Sequence, residues 1–342
     1  MSLPAGFQLQ RYVIDEMRSE AGNFSKVYLA HDARGKSWAI KEFAPYQRYQ
    51  RNSDYSLSPR VGKSKEFQWA LKRFREEGQF LAATHHPHIV HVEEHFAALG
   101  THYVVMELLE ESLEDRVKKD GSQSQGQVLR WTAQLMDALR ACHERGTIHL
   151  DVSPNNIMFR KDGSAVLIDF GFGRLGNQPG SRSSKYVACE HYSAPEKHQH
   201  TSRDLDGRAD VYSLAAVMNF ALTGIEPTDC RERMSDVEGN GLPFQAERVR
   251  QSRADQSLRE AIDRAFRYRK AERFQSISAF ASAIGPSLPV PAAAGPDPNV
   301  VRTEQPSVQR QGLSPQQRKQ IAALLAFVMI LLCGAILLVA VL

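Results

Sequence analysis

The chain has 342 residues, which is enough for one large domain and additional segments. Its net charge of +4 is small and dispersed, so the sequence gives no reason to expect a nucleic-acid partner. The four cysteines lack C-x-x-C pairing and zinc-type histidine partners, and the N-terminus lacks a basic leader with an apolar core, so reduced thiols and no secretory signal are expected.

Two strands are predicted at residues 12–17 and 26–31, around a turn that contains Gly22. Considered alone, they are typical of an ordinary hairpin. A third strand is predicted at residues 37–43, where Lys41 ends an apolar run. A lysine in a strand usually points to solvent, so its place in this run makes Lys41 a candidate functional residue.

Residues 44–64 are rich in tyrosine, arginine and serine and predict an inserted, solvated loop without an assigned role. Residues 65–83 predict a helix. Its apolar side chains recur at helical spacing, at Phe67, Leu71, Phe74 and Leu81. Glu77 falls on the same stripe, and a carboxylate among apolar side chains requires a partner.

Further strands are predicted at residues 90–96 and 102–107, and residues 103–109 alone are typical of an edge strand. Residues 126–145 predict a long helix that leads into the next segment. Its inward positions are Val128, Trp131, Leu135, Ala138, Leu139 and Cys142.

Three polar side chains, Asp151, Asn156 and Asp169, occur within a short stretch. Two short strands are predicted between them, at residues 157–160 and 165–168, with a K-D-G turn. This hairpin would return Asp169 to the side of Asp151 and Asn156. Phosphoryl transfer from ATP requires such a set, since one carboxylate takes the hydroxyl proton while an amide and a second carboxylate hold Mg²⁺.

A buried helix is predicted from Asp210 to Gly224, followed by helices near residues 258–268 and 277–284. Residues 286–319 are rich in proline, alanine and glutamine and predict a largely disordered linker. Residues 320–342 are almost wholly apolar and long enough to span a bilayer as a helix. A buried core helix and a truncated chain are the alternatives.

The two basic residues Arg318 and Lys319 precede the apolar segment. The positive-inside rule therefore predicts a single-pass membrane protein whose folded domain is cytoplasmic. Gly334 is a lone small residue without a G-x-x-x-G partner, so the segment shows no dimerisation motif, although self-association stays open.

Several motifs in the right order resemble those of the protein kinases over about residues 12–285. The first group has D-x-x-x-x-N at 151–156 and D-F-G at 169–171. The second group has W-A-I-K at 38–41, similar to V-A-I-K, and A-P-E at 194–196. The sequence H-P-H-I-V at 86–90 is similar to the family's H-P-N-I-V, and counting back from it selects Glu77 rather than Glu76 as the helix glutamate.

The resemblance implies an α+β, two-lobed protein kinase fold, with a mainly β N-lobe at about 12–107 and a mainly α C-lobe at about 108–285. Residues 1–11 would be an N-terminal extension, and one C-terminal transmembrane helix would complete the chain. ATP and Mg²⁺, with Mn²⁺ as an alternative, would occupy the cleft between the lobes.

The resemblance also implies roles for single residues. Asp151 and Lys41 are the expected catalytic pair, in which Asp151 receives the hydroxyl proton, Lys41 contacts the α- and β-phosphates and Glu77 holds Lys41. Asn156 and Asp169 are the expected metal ligands. The expected nucleotide-binding residues are Gly22, Ser25, Val27, Ala39, Lys41, Glu77, Met106, Glu107, Leu109, Asn156 and Asp169, with Glu107 and Leu109 acting through their backbone.

Three more residues have structural roles in the family. His149 is expected to pack against the D-F-G segment, and Asp210 to tie down the backbone of the loop at 149–156. Arg273 is expected to pair with Glu196 of the A-P-E motif.

The chain departs from the family pattern at four places. The glycine-rich loop keeps only Gly22, with Glu20 and Ser25 at the outer positions, which weakens the expectation for nucleotide affinity. Leu150 replaces an arginine that receives an activating phosphate, so phosphorylation-dependent ordering is expected to be weaker. Ser153 replaces a lysine that reaches the transferred phosphate, and a lower rate is expected. Cys189 replaces a threonine, which weakens the serine/threonine assignment.

These features together predict an ATP-dependent serine/threonine protein kinase at the membrane, with autophosphorylation and unidentified protein substrates. Ser181, Ser183 and Ser184 are candidate phosphorylation sites, and a serine-rich flexible loop is the alternative. A pseudokinase scaffold and a small-molecule phosphotransferase are the competing functions. The intact Asp151, Asn156 and Asp169 oppose the first, and the A-P-E motif opposes the second.

Overall fold

The computed structural model describes residues 2–21, 25–46, 48–170, 191–198, 205–230 and 254–285. Chain contacts separate two units, Met1–Pro291 and Ala292–Leu342, and all described residues belong to the first. The linker and the predicted membrane segment at 320–342 lie outside the described residues. Among the residues that are described, no helix is both long and apolar enough to cross a membrane.

An antiparallel sheet of six strands forms most of the N-terminal part, in the order β1-β2-β3-β4-β8-β7. The strands are β1 (Gln8–Leu9), β2 (Tyr12–Ala21), β3 (Ser25–Asp32), β4 (Ser37–Phe43), β7 (Val92–Ala98) and β8 (Thr101–Glu107). Side chains alternate between the two faces, so β4 buries Trp38 and Ile40 on one face and directs Lys41 to the other. The predicted strand 37–43 is therefore confirmed, and its neighbours differ little from prediction, since β3 is one residue longer at each end and β8 one residue longer at its start.

One helix, α1 (Ser64–Ala82), packs across this sheet and confirms the prediction at 65–83 within one residue. Its buried residues are Phe67, Ala70, Phe74, Gly78 and Leu81. A Cβ at Gly78 would lie 2.9 Å from Cγ2 of Val104, so the missing side chain allows the close approach of α1 to β8. The same approach brings the inner face of α1 toward Lys41.

The prediction of a solvated loop at 44–64 is wrong for its centre. The segment forms a hairpin of β5 (Tyr49–Arg51) and β6 (Leu57–Pro59). Arg51 donates from Nη2 to Oε2 of Glu42 at 2.5 Å, and the two side chains are 2% and 0% exposed. Tyr28 and Tyr103 donate their hydroxyls to the same carboxylate, at 2.8 and 2.6 Å. The hairpin is therefore anchored in the N-terminal sheet by a buried ion pair.

The C-terminal part is mainly helical. Its helices are α2 (Leu113–Asp120), α3 (Gln125–Glu144), α4 (Pro195–His198), α5 (Arg208–Thr223), α6 (Gln256–Ala265) and α7 (Ile277–Ile284), with 3₁₀ turns at Pro154–Asn156 and Lys270–Glu272. Capping boxes begin α2 at Ser112 and α3 at Ser124. Residues 209–222 of α5 are all buried, which fits a central helix surrounded by the others.

The predicted hairpin after Asn156 is present. It consists of β9 (Ile157–Phe159) and β10 (Ala165–Leu167), which pair antiparallel. Its strands are one residue shorter at the C-terminal end than predicted. This hairpin carries the chain from Asn156 back to Asp169, and its Leu167 forms a parallel bridge with Ile89, which precedes β7 in the chain.

Candidate active site

A buried carboxylate fixes the loop that carries Asp151. Asp210 of α5 accepts hydrogen bonds from the backbone N–H groups of His149, at 2.9 Å, and Leu150, at 2.8 Å. The ring of His143 contacts the same carboxylate at 2.7 Å. Burial alone would raise the pKa of Asp210, but the His143 contact and the His149 contacts lower it. The loop is therefore held by an ionised side chain from the central helix.

His149 links this loop to the segment around Asp169. Its Nε2–H donates to the carbonyl of Ile168 at 3.1 Å, and its Nδ1 accepts from the N–H of Asp151 at 3.2 Å. Its ring lies 4.4 Å from that of Phe170, and burial lowers the pKa of the imidazole. A neutral ring with both nitrogens engaged agrees with the structural role that the resemblance implies.

Asn156 holds Asp151 in place. Its Nδ2 donates to the main-chain oxygen and to Oδ2 of Asp151, both at 2.9 Å. The main-chain oxygen of Asn156 also accepts from Ile168, at 2.9 Å. Because Nδ2 serves Asp151, the amide Oδ1 is the side-chain atom of Asn156 that can face a cation.

Lys41 is the point where three predicted site residues meet. Its Nζ lies 2.5 Å from Oδ1 of Asp169 and 3.7 Å from Oε1 of Glu77. Lys41 and Glu77 are almost completely buried, whereas the side chain of Asp169 is 27% exposed. Asp169 is therefore the member of the group that faces the open side.

The charges of this group depend on one another. Burial raises the pKa of Glu77 from 4.5 to about 7, Lys41 opposes this shift, and Asp169 and Asp151 add to it. Burial alone would lower the pKa of Lys41, but the charges of Asp169 and Glu77 raise it overall. Lys41 therefore stays cationic, and Glu77 is the group that titrates near neutral pH.

Two non-glycine residues of the site have left-handed backbone conformations. The φ angle is 64° at Leu150 and 51° at Asp169. Such conformations cost on the order of 1–3 kcal/mol each and persist only where surrounding contacts hold them. The bond from Leu150 to Asp210 and the contact of Asp169 with Lys41 supply those contacts here.

The sheet register places four predicted nucleotide-binding residues on one face. Val27 lies opposite Lys41, and Ala39 lies opposite Met106. Ala39 and Lys41 are two residues apart in β4, so both pairs share the face that looks toward Asp169. Met106 is buried, and Val27 and Ala39 are half-buried. The face therefore combines the apolar side chains of Val27, Ala39 and Met106 with the ammonium group of Lys41.

For the other predicted nucleotide-binding residues, the structure gives only a backbone contact or the burial of the side chain. The N–H of Glu107 donates to the carbonyl of His91 at 3.0 Å, so a main-chain contact from Glu107 to a base would use its carbonyl. Leu109 is buried just after β8, and Ser25 is buried at the start of β3. Gly22 lies outside the described residues, as do Gly171, Ser181, Ser183, Ser184 and Cys189.

The donor atoms of the site fit a hard divalent cation. Among the described residues, no group of three or more His, Cys, Asp or Glu side chains could hold a metal ion by itself. Asn156 and Asp169 offer one amide oxygen and one carboxylate. Mg²⁺ binds through one or two protein carboxylates together with phosphates and water. The pair therefore fits a cation that a bound nucleotide also coordinates.

One lysine that the sequence analysis did not single out lies at the site. Lys197 of α4 donates from Nζ to the carbonyl of Leu150 at 2.6 Å and lies 3.4 Å from Oδ1 of Asp151. It directly follows the A-P-E motif, at position 197. The only signal that could have found it was the lysine missing at Ser153, since nothing in the local pattern separates Lys197 from a solvent-exposed lysine.

Arg273 fixes α4 to the helical part. The fully buried guanidinium donates from Nη1 and Nη2 to both carboxylate oxygens of Glu196, at 2.7 and 2.8 Å. It also donates to the carbonyls of Arg267, Tyr268 and Arg208, at 2.7, 2.7 and 3.1 Å. A bidentate pair with this many further bonds sets the position of α4 closely.

The chain is similar to known proteins over most of its described part. The Protein kinase domain family matches residues 20–282. The serine/threonine-protein kinase PknD of Mycobacterium tuberculosis is 29% identical over 236 residues, which are 68% of this chain and 35% of that protein. PknB of Mycobacterium leprae, also a serine/threonine-protein kinase, is 35% identical over 214 residues, 60% of this chain and 31% of that protein. The chain thus spans about a third of the length of these curated relatives.

Solved structures show the same fold. PpkA-294 in its apo form superposes with a TM-score of 0.71 at 27% identity, covering 83% of this chain and 99% of that one. Rad53 1–466 in complex with AMP-PNP superposes with a TM-score of 0.61 at 21% identity, which supports the fold alone. The two-lobed arrangement is confirmed, with a strand-rich N-lobe and a helical C-lobe. The curated relatives PknD and PknB are serine/threonine-protein kinases, and this chain belongs to the protein kinase domain family.

Proposed function

We propose that the chain transfers the γ-phosphoryl group of ATP to serine and threonine hydroxyls of proteins, including its own. The observation that carries the proposal is the meeting of Lys41, Asp151, Asn156 and Asp169 at one site, with Glu77 beside Lys41. Asp151 and Asn156 are joined at 2.9 Å, so the candidate base and one candidate metal ligand share a rigid loop.

Each residue has one task in the proposed reaction. Lys41, held cationic by Asp169 and Glu77, binds the α- and β-phosphates of ATP. Asp151 orients the acceptor hydroxyl and takes its proton. Asn156 and Asp169 hold Mg²⁺, or Mn²⁺ in its place, which neutralises phosphate charge when it is bound.

A pseudokinase scaffold is the second candidate, and the sequence of the site supports it. Leu150 and Ser153 replace an arginine and a lysine that the family uses, and the glycine-rich loop keeps one glycine. A scaffold of this kind would fold and bind partners without turnover. Measured turnover therefore decides between the two.

We further propose that residues 320–342 anchor the chain in a membrane with the kinase domain on the cytoplasmic side. The support is the length and apolar composition of this segment and the basic pair Arg318 and Lys319 before it. The segment contains no G-x-x-x-G pair, so self-association through it is not part of this proposal.

The proposal is tested with the full-length chain in mild detergent, labelled ATP and Mg²⁺. Label should appear on the protein and on serine- or threonine-containing peptides, and it should disappear in Asp169→Asn and Asp151→Asn. Lys118→Gln changes an exposed lysine of α2 and serves as the control variant that should remain active. A cooperatively melting protein that transfers no label to protein, peptide or small hydroxylated acceptors would exclude the enzyme and leave the scaffold.

A further inference from the structure

We infer that Lys197 supplies the positive charge that the loop at 149–156 lacks at Ser153, and so stabilises the phosphoryl group during transfer. This inference rests on the proposed kinase function. Lys197 lies in α4, 46 positions after Asp151 in the sequence. Its side chain reaches the side of the loop that carries Asp151.

The contacts of Lys197 direct its ammonium to Asp151. Its Nζ lies 2.6 Å from the carbonyl of Leu150, 3.4 Å from Oδ1 of Asp151 and 3.5 Å from Oγ of Ser193. The side chain is 20% exposed, so it is not sealed in the core. A lysine ammonium has three donors, and among the residues that the structure describes, Asp151 is its charged acceptor beside two neutral ones.

The loop at 149–156 carries no charge at position 153, where the family has a lysine. Ser153 is 2% exposed and carries a neutral hydroxyl. The other lysine of the site, Lys41, is engaged by Asp169 and Glu77. A phosphoryl group in transfer to a hydroxyl beside Asp151 would come within reach of Lys197, whose Nζ lies 3.4 Å from Oδ1 of Asp151.

The backbone of Lys197 is held firmly enough for this task. Its N–H donates to the carbonyl of Ala194 at 2.9 Å. The preceding residue, Glu196, is fixed by the bidentate pair with the buried Arg273. Positioning of a charge before the reaction is what makes an electrostatic contribution effective, because no reorganisation is needed during the step.

The step conserves atoms and charge. The acceptor hydroxyl oxygen forms a bond to the γ-phosphorus while the bond from this phosphorus to the β,γ-bridging oxygen breaks, and ADP leaves with that electron pair. The hydroxyl proton passes to Asp151. Lys197 gives up no proton, and its charge offsets the negative charge on the transferring oxygens and keeps Asp151 oriented, together with Asn156 on the other carboxylate oxygen.

The test compares Lys197→Gln and Lys197→Arg in the full-length chain, with Lys118→Gln as the matched control. Glutamine keeps a donor for the carbonyl of Leu150 and removes the charge, and arginine keeps the charge. We expect Lys197→Gln to lower kcat about 100-fold, as loss of a preorganised donor does elsewhere, with KM for ATP changed less than twofold. Lys197→Arg should retain more activity than Lys197→Gln, and Lys118→Gln should match the wild type.

A relocation variant separates charge from structure. In Lys197→Gln combined with Ser153→Lys, a lysine returns to the loop position, and kcat should recover at least tenfold over Lys197→Gln. An unchanged kcat in Lys197→Gln, or a rise in KM for ATP with kcat intact, would overturn the inference whether or not the double variant folds. A wild-type chain without any turnover would instead refute the proposed function, so the two failures are distinguishable.

Discussion

The carboxylate of Glu77 has a pKa near neutrality, and this links a single side chain to the behaviour of the site with pH. Lys41, Asp169 and Asp151 are the charged groups that face it. The pKa is raised in the folded chain relative to the ordinary value of 4.5, so the folded state keeps the proton of Glu77 to a higher pH than the unfolded state does.

The raised pKa of Glu77 makes the folded chain more stable at acidic pH than at alkaline pH. Stability contributed by protonated Glu77 is fully present below about pH 4.5 and is lost as pH rises through about 7. We expect the free energy of unfolding of the wild type, measured relative to Glu77→Gln, to fall between pH 5 and pH 8. Equilibrium denaturation in urea at both pH values measures it.

Glu76→Gln is the control for this prediction, because Glu76 is the adjacent glutamate of α1 and pairs with Arg73 at 3.0 Å on the outer face. This variant should follow the wild type at both pH values. A constant difference between the wild type and Glu77→Gln from pH 5 to pH 8 would show that Glu77 does not titrate in this range.

At the scale of secondary-structure elements, the hairpin β5–β6 is a part of the N-lobe that the sequence did not predict, as is the short strand β1. Its strands are three residues each, too short to give a period, and its main anchor is the buried pair of Arg51 and Glu42. A second anchor is the bond from the N–H of Leu57 to the carbonyl of Leu99, at 2.7 Å. The hairpin therefore belongs to the folded N-lobe rather than to a solvated loop.

Removal of Arg51 tests this view. Arg51→Met removes the cation from the buried carboxylate of Glu42, which still accepts from Tyr28 and Tyr103, and should lower the free energy of unfolding by about 3–5 kcal/mol. Lys63→Met removes an exposed lysine that pairs with Glu66 at 3.3 Å and should cost at most about 1 kcal/mol. Chemical denaturation of the three proteins gives the comparison, and equal stabilities for the two variants would contradict the anchoring.

For the molecule as a whole, nucleotide binding should join the two lobes, since Lys41 lies in one and Asp169 in the other. A ligand that binds only the folded state at 100 times its Kd adds about 2.7 kcal/mol of stability. We therefore expect ATP with Mg²⁺ to raise the melting temperature, and EDTA to reverse most of the increase. Asp169→Asn should show a smaller increase with Mg²⁺, whereas an equal increase in the variant would argue against a metal ligand at this position.

The sequence predicted those parts of the molecule whose signals are local. Asp151, Asn156 and Asp169 could be predicted because their spacing and the hairpin between them lie within one short stretch. The helix at 65–83 followed from apolar spacing. Lys197 could not be predicted, because its approach to Asp151 depends on Arg273 holding Glu196, a contact between residues 77 positions apart. The ends of the strands differ by a few residues because hydrogen-bond partners in other strands determine them.

The contact by which Arg273 fixes α4 bears on how the proposed kinase activity could be regulated. When a phosphate-binding lysine lies within the loop of the base, folding of that loop is sufficient to complete the charges. With the role proposed for Lys197, the cation comes from a separate piece of chain, and turnover would require both the folding of the loop and the docking of α4. Under that proposal, a change that displaces α4 would lower the rate of transfer and leave ATP binding unchanged, since α4 is separate from the nucleotide-binding residues.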